Sequence, residues 1–220
     1  DDYWLNQEKL EKQIEAMLYY DVGISGHSSY VIQESGEHLN QKSGKVVSLV
    51  TWFSACSLIL QQGNMIPYSS IMIDIIAKRD MIKHMPPVRF HTGIQILAAR
   101  RNGLVVLPNT MSAYRIAVPG SATFLMLGNK NKKRSTAILR IISIKHLKSI
   151  YGKKCSNAFN DYLVNQFFQA RYNLSLKNFT LLRSLLNKEG FKSSVIIISN
   201  IFILFIKKLI KKIIAVQNKS

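Results

Sequence analysis

Acid is scarce in this chain, and its placement is uneven. Thirty Lys and Arg stand against twelve Asp and Glu over 220 residues, a net charge of +18. Residues 1–40 hold eight acidic and two basic residues, whereas residues 41–220 hold four acidic and twenty-eight basic. Such asymmetry points to an anionic partner: a membrane surface, a nucleic acid or an acidic carrier protein. Cysteine is nearly missing. Cys56 and Cys155 lie far apart with no CxxC, so neither a disulfide framework nor a zinc site is expected, and two buried, inert thiols are. The histidines (His27, His38, His84, His91, His146) show no HExxH spacing, and no metal is expected. Neither GxxxxGK[ST] nor GxGxxG occurs, which removes the glycine-rich phosphate loops. The apolar run from Val195 to Ile206 has twelve residues, short of the roughly 20 that a spanning helix needs. The first residue is Asp1, not Met, so a fragment or processed form is expected, and no signal peptide is visible.

What is present reads as one α/β domain. Leu5 to Leu18 predicts a helix with Leu10, Ile14, Met17 and Leu18 on one stripe and a Glu8–Lys12 pair at i, i+4. Tyr20-Asp21 breaks the period. Val22–Ser25 then reads as a short strand, followed at once by Gly26-His27-Ser28-Ser29. Gln33 to Lys45 reads as a loop. Thr51 to Leu60 predicts a buried helix, with Trp52 and Phe53 in the core and Gly63 as its stop. Met65 to Asp74 predicts a strand. Ala77 to Arg89 is basic and reads as a solvated loop, or as a flap whose cations meet a phosphate.

The stretch from Arg89 to Pro119 organises the rest. Thr92-Gly93 opens an amphipathic helix with Ile94, Leu97 and Ala98 on one face, and Asn102-Gly103 stops it. Leu104 to Leu107 reads as a buried strand ended by Pro108, and Tyr114 to Val118 as a second strand. Asn129 to Arg134 reads as a basic turn, and the β-branched Ala137 to Ile144 as a strand. Ser156 to Tyr172 predicts a helix with Phe159, Leu163, Phe167 and Ala170 on one stripe, and Phe179 to Leu186 another. Two helices and a basic surface allow a helix-turn-helix reading, although the turn Asn173 to Asn178 has no glycine. In the tail, Lys207-Lys208 and Lys211-Lys212 are spaced to share one helical face beside the apolar run, as in an interfacial helix.

Two stretches together resemble the lysophospholipid acyltransferase superfamily, closest to its late lipid A acyltransferase branch. One is Phe90, Thr92-Gly93, Leu97-Ala98, Arg101-Asn102-Gly103, an apolar strand ending in Pro108, then Tyr114-Arg115-Ile116 and Pro119. The other is the first helix, the short strand and Gly26-His27. Between them, Leu60-Gln61-Gln62-Gly63 and Asp74 fit the same pattern. The resemblance covers roughly residues 5–120. It implies transfer of an acyl chain from an acyl carrier protein or coenzyme A thioester to a hydroxyl of a lipid or glycolipid, without a metal or resident cofactor. His27 is then the general base, at a cleft rim where open α/β sheets hold their ligands. Ser28 or a backbone N–H near it supports the oxyanion. Asp74, Arg89, Thr92, Gly93 and Arg115 are the expected substrate contacts. The family's carboxylate partner falls on Ile32, so Glu34 is the expected substitute.

The expectation is therefore an α/β fold with a mixed central sheet flanked by helices, an acyltransferase-like domain over residues 1–190, and a basic amphipathic tail over 191–220. The resemblance implies a peripheral protein on the cytoplasmic face of the inner membrane. A catalytically degenerate lipid-binding homologue is the first rival, and a basic nucleic-acid-binding protein the second.

Overall fold

The computed structural model describes residues 2–86, 90–116, 118–119, 124 and 130–171, with side chains placed over 139–166 in the last stretch. A six-stranded mixed sheet lies between helices, in the order β1 (Tyr3–Trp4), β6 (Leu104–Arg115), β2 (Ile24–Ile32), β3 (His38–Ser43). Two short strands extend it: β4 (Thr51–Phe53) pairs with β6, and β5 (Met72–Ile73) with β2. Among the described strands only β2 and β6 run parallel; the remaining pairs are antiparallel. The expected α/β class with a mixed sheet is the fold observed.

β2 differs from expectation. It does not end at Ser25 but runs nine residues through the Gly26-His27 dipeptide, almost wholly buried. Gly26 is a packing position and not a turn: a Cβ there would meet the Ile66 side chain at 2.6 Å. β6 is likewise one strand of twelve residues where two were expected. Its register against β2 jumps from His27↔Leu107 to Ser29↔Ser112. The extra β6 residues form a bulge that accommodates Pro108, which has no N–H to give a ladder.

Helix α1 (Lys9–Tyr20) is closed by Asp21, whose left-handed backbone (φ 47°) lets its N–H reach Met17 and Leu18 carbonyls. Its orientation keeps only Met17 of the predicted stripe on the inner side. Lys9, Gln13, Ala16 and Met17 face inward, while Leu10, Ile14 and Leu18 are exposed, Leu18 by 76%. The predicted helix over 51–60 divides into β4 and α2 (Ala55–Leu60), with Ser54 Oγ accepting from Ser57 N–H at 3.1 Å. Trp52 is not core: it is exposed and donates to the Asn102 carbonyl at 2.7 Å. Residues 65–74 give a 3₁₀ turn at Tyr68–Ser70 and β5 instead of one strand. Of the expected basic loop over 77–89, the part up to Lys83 belongs to helix α3 (Ile75–Lys83), and residues 87–89 lie outside the described residues.

α4 (His91–Ala98) lies where the prediction puts it but ends at Ala98, ahead of Asn102 (φ 56°) and Gly103 (φ 92°), which turn the chain into β6. The expected strand at 137–144 is part of a 22-residue helix, α5 (Lys130–Tyr151), which also takes in the expected basic turn from residue 130. Ile141, Ile144 and Leu147 recur every three residues on its buried face, and packing overrides the β-branched propensity. α6 (Ser156–Arg171) buries Phe159 and Leu163 as predicted.

The sheet separates two cores. Ile24, Leu104 and Val106 point into a large apolar cluster shared with α2, α4, α5 and α6. Val105 and Leu107, alternate on the same strand, point to a smaller cluster with Ala16, Met17, Val22 and Met111 under α1. Cys56 and Cys155 are not free thiols: they form a disulfide, Cα–Cα 5.0 Å. Among the described residues no helix is long and apolar enough to cross a membrane. The helix expected at 179–186 and the tail over 191–220 lie outside the described residues.

Candidate functional site

On the α1 side, β2 presents Ser25, His27 and Ser29 at alternate positions, all fully buried. An apolar sheet face would carry Val or Ile there; this one needs polar partners, and it has them. Gln13 donates to Ser25 Oγ at 3.1 Å and to the Ser70 carbonyl at 2.9 Å. Lys9 Nζ donates to Gln13 Oε1 at 2.6 Å and lies 4.3 Å from the Trp4 ring centre. Ser29 shares hydroxyl contacts with Ser112 at 2.6 Å and Ser69 at 3.0 Å. Burial holds the Lys9 ammonium pKa below its ordinary value.

His27 sits in the middle of this layer with no exposed surface. Its Nδ1 is 2.8 Å from the Ser28 carbonyl. A carbonyl only accepts, so Nδ1 carries the proton. The Met111 N–H, 3.4 Å from the same nitrogen, is therefore a close neighbour and not a donor to it. Nε2 keeps its lone pair and has no partner among the described residues. Burial, offset in part by the Ser28 carbonyl and reinforced by the Lys9 charge, pushes the imidazole pKa down to about 4. His27 is neutral at physiological pH and sealed, not at a cleft rim as expected.

The other expected residues scatter. Ile32 is buried at the end of β2, its carbonyl accepting from Ile116 N–H at 3.0 Å. Glu34 is exposed in the β2–β3 turn. Five residue steps of about 3.3 Å each separate His27 from Ile32 along β2, and Glu34 lies beyond them, so it does not reach the imidazole. Ser28 is buried, its Oγ 2.8 Å from Thr110 Oγ1. Asp74 caps α3, accepting from Ala77 N–H at 2.6 Å, and pairs with Arg101. Thr92 Oγ1 donates to the Gln62 carbonyl at 3.1 Å, with its side chain against Gly63. Gly93 is packed under Phe90, whose ring a Cβ would meet at 2.8 Å. Arg115 ends β6, its backbone N–H donating to Asp2 Oδ1 at 3.1 Å. Arg89 lies outside the described residues. Ser28 adjoins His27; Asp74, Thr92 and Gly93 instead serve helix ends and close packing.

The sequence places Gln95 off the apolar face of its helix; the structure instead buries it beside the half-buried His91. Gln95, fully buried, donates to the Ile66 carbonyl at 2.9 Å and to His91 Nε2 at 2.7 Å. Burial lowers the His91 pKa too. The i, i+4 spacings of Lys9–Gln13 and His91–Gln95 were available in the sequence, but nothing there marked them as inward. A groove of about 350 Å³ lies between α3 and α4, lined by Ile76, Ala77, Asp80, Leu97, Arg100 and Arg101. Its arginines are engaged by Asp80, Asp74 and Asp21, and none of the expected site residues except the neighbouring Asp74 bears on it. No group of three or more potential metal ligands occurs among the described residues.

No family model matches the chain, and no curated protein matches it. Among solved structures it is similar to residues 1–349 of S. aureus TarS in complex with UDP-GlcNAc, with 12% identity and a TM-score of 0.40. That alignment covers 76% of this chain and 53% of the other, so the chain spans about half the length of that protein.

Proposed function

We propose that this chain binds an anionic lipid surface without catalysing acyl transfer, as a peripheral protein on the cytoplasmic face of the membrane. The observation that carries the non-catalytic part is the setting of His27: fully buried, neutral, hydrogen-bonded to a backbone carbonyl and out of reach of Glu34. A general base must stand within hydrogen-bond reach of the proton it takes, and be oriented by a partner. Lipid binding is supported by the twenty-eight cations after residue 40 and by the apolar run followed by paired lysines between Val195 and Val216.

Acyl transfer from a carrier-protein or coenzyme A thioester is the second reading. The one feature favouring it is the Nε2 lone pair of a neutral His27, which has no partner among the described residues.

Cosedimentation of the full chain with phosphatidylglycerol–phosphatidylcholine vesicles tests the proposal. Pelleting is expected with the anionic vesicles, and is expected to fall on pure phosphatidylcholine, at high salt and on removal of residues 195–220. Pelleting indifferent to lipid charge and to the tail would overturn it. So would thermal stabilisation by a soluble ligand such as a nucleotide sugar with no response to vesicles. Acyl transfer abolished by His27→Ala would establish the second reading instead.

A further inference from the structure

Cys56 and Cys155 are joined across a sequence separation of 99 residues. The Cys155 sulfur stands at the start of a sixteen-residue helix, whereas Cys56 lies in the short α2. Cys56 is the second residue of α2. Cys155 immediately precedes α6, and its carbonyl accepts the first helical hydrogen bond, from Phe159 N–H at 3.0 Å. The unpaired N–H groups and dipole of a helix start favour a thiolate over a thiol. Lys153 and Lys154, both exposed, precede Cys155 in the chain and add positive charge on the same turn. Cys155 also holds a left-handed backbone (φ 60°), which non-glycine residues adopt at a cost. Both cysteines are half-buried at the margin of the large apolar cluster and not sealed within it.

A disulfide whose reduced form is stabilised as a thiolate is the more easily reduced one. We propose that Cys56–Cys155 is a thiol–disulfide exchange site, with low-molecular-weight thiols and disulfides of the glutathione class as its substrates, and that it latches the start of α6 onto α2. In the oxidising direction one protein thiolate attacks the small disulfide, forming a mixed disulfide and releasing one small thiol. The second protein thiolate then displaces the other small thiol. Two protein thiols and one small disulfide become one protein disulfide and two small thiols, and no further oxidant is required. Reduction is the reverse. The bond anchors the end of the exposed turn Gly152–Lys154 at Cys155, so opening it loosens the backbone at Lys153 and Lys154 for a protease. The latch is independent of the lipid-binding reading.

Three readouts on the full chain test the proposal. The protein is equilibrated with reduced or oxidised glutathione, quenched with N-ethylmaleimide and weighed intact. The expected result is no adduct in oxidised glutathione and two in reduced glutathione, reversible on exchange of the buffer. Closing a loop of this length implies a Tm lower by about 5–15 °C in the reduced form, with tryptic cleavage after Lys153 or Lys154 at least several-fold faster. Two adducts in oxidised glutathione, or none in about 10 mM reduced glutathione, a cytosol-like concentration, would overturn exchange. Cys56→Ser separates the latch from mere reactivity: it should melt with the reduced protein and ignore added thiol, and if it melts with the oxidised protein the latch is refuted.

Discussion

The two faces of the sheet solve burial in opposite ways. On one, Leu104 and Val106 meet an apolar cluster that takes Leu58, Ile96, Ile144 and Phe159 from four helices. On the other, the same strand meets α1 through a few apolar side chains and a polar layer made of the Lys9–Gln13–Ser25 chain, the Ser29, Ser69 and Ser112 hydroxyls, and His27. Apolar burial gains roughly 25 cal/mol per Å² and tolerates imperfect geometry. A buried polar layer gains little net energy but penalises any member left unsatisfied. The apolar face supplies stability; the polar face fixes the register of α1 and of the bulged β2–β6 pair.

The largest expected effect is on the apolar face. Phe159→Ala should cost about 3–5 kcal/mol, the range for a large buried aromatic, read as a shift in the urea midpoint at constant slope. A loss below about 1 kcal/mol would mean that α6 is peripheral to the core.

Next comes the titration of His27. Its folded pKa of about 4 lies below the ordinary 6.5, so the unfolded chain takes up the proton first. The associated stability is fully present above pH 6.5 and is lost as pH falls toward 4, by about 3 kcal/mol in all. His91 is depressed in the same direction, so the profile of His27→Gln is needed to isolate the first. That variant should flatten the loss between pH 6.5 and 4; an unchanged profile would show that His27 is not sealed.

The smallest effects come from α1 itself. Gln13→Ala strands Lys9, Ser25 and the Ser70 carbonyl and should cost about 1–3 kcal/mol. Leu18→Ser, on the exposed side, should change stability by no more than about 0.5 kcal/mol. The reverse order in thermal melts would restore the orientation read from hydrophobic periodicity.

Local chemistry made much of the fold legible. Asn102-Gly103 turns the chain from the end of α4 into β6 because both residues tolerate a left-handed backbone, and Phe159 and Leu163 mark the inner stripe of α6. The candidate site was less legible. Gly26-His27 reads as a turn that presents a side chain, but Gly26 exists to admit Ile66, and the strand continues through it. Nothing within a few residues distinguishes a glycine that bends the chain from one that lets a distant segment of the same chain approach.

By itself the sequence determined the α/β class, the acidic start and basic remainder, and the helices and stops whose causes are local. Tertiary structure decided which face of α1 turned inward. Lys9 and Gln13 are buried only because Ser25 and Ser70 stand opposite them, and Leu10, Ile14 and Leu18 are left outside as a consequence. It also decided that Ile141 and Ile144 pack from a helix and that Cys56 meets Cys155 from a separation of 99 residues. In each case the deciding partner lies far along the chain, and hydrogen-bond satisfaction and packing are settled only where the partners meet.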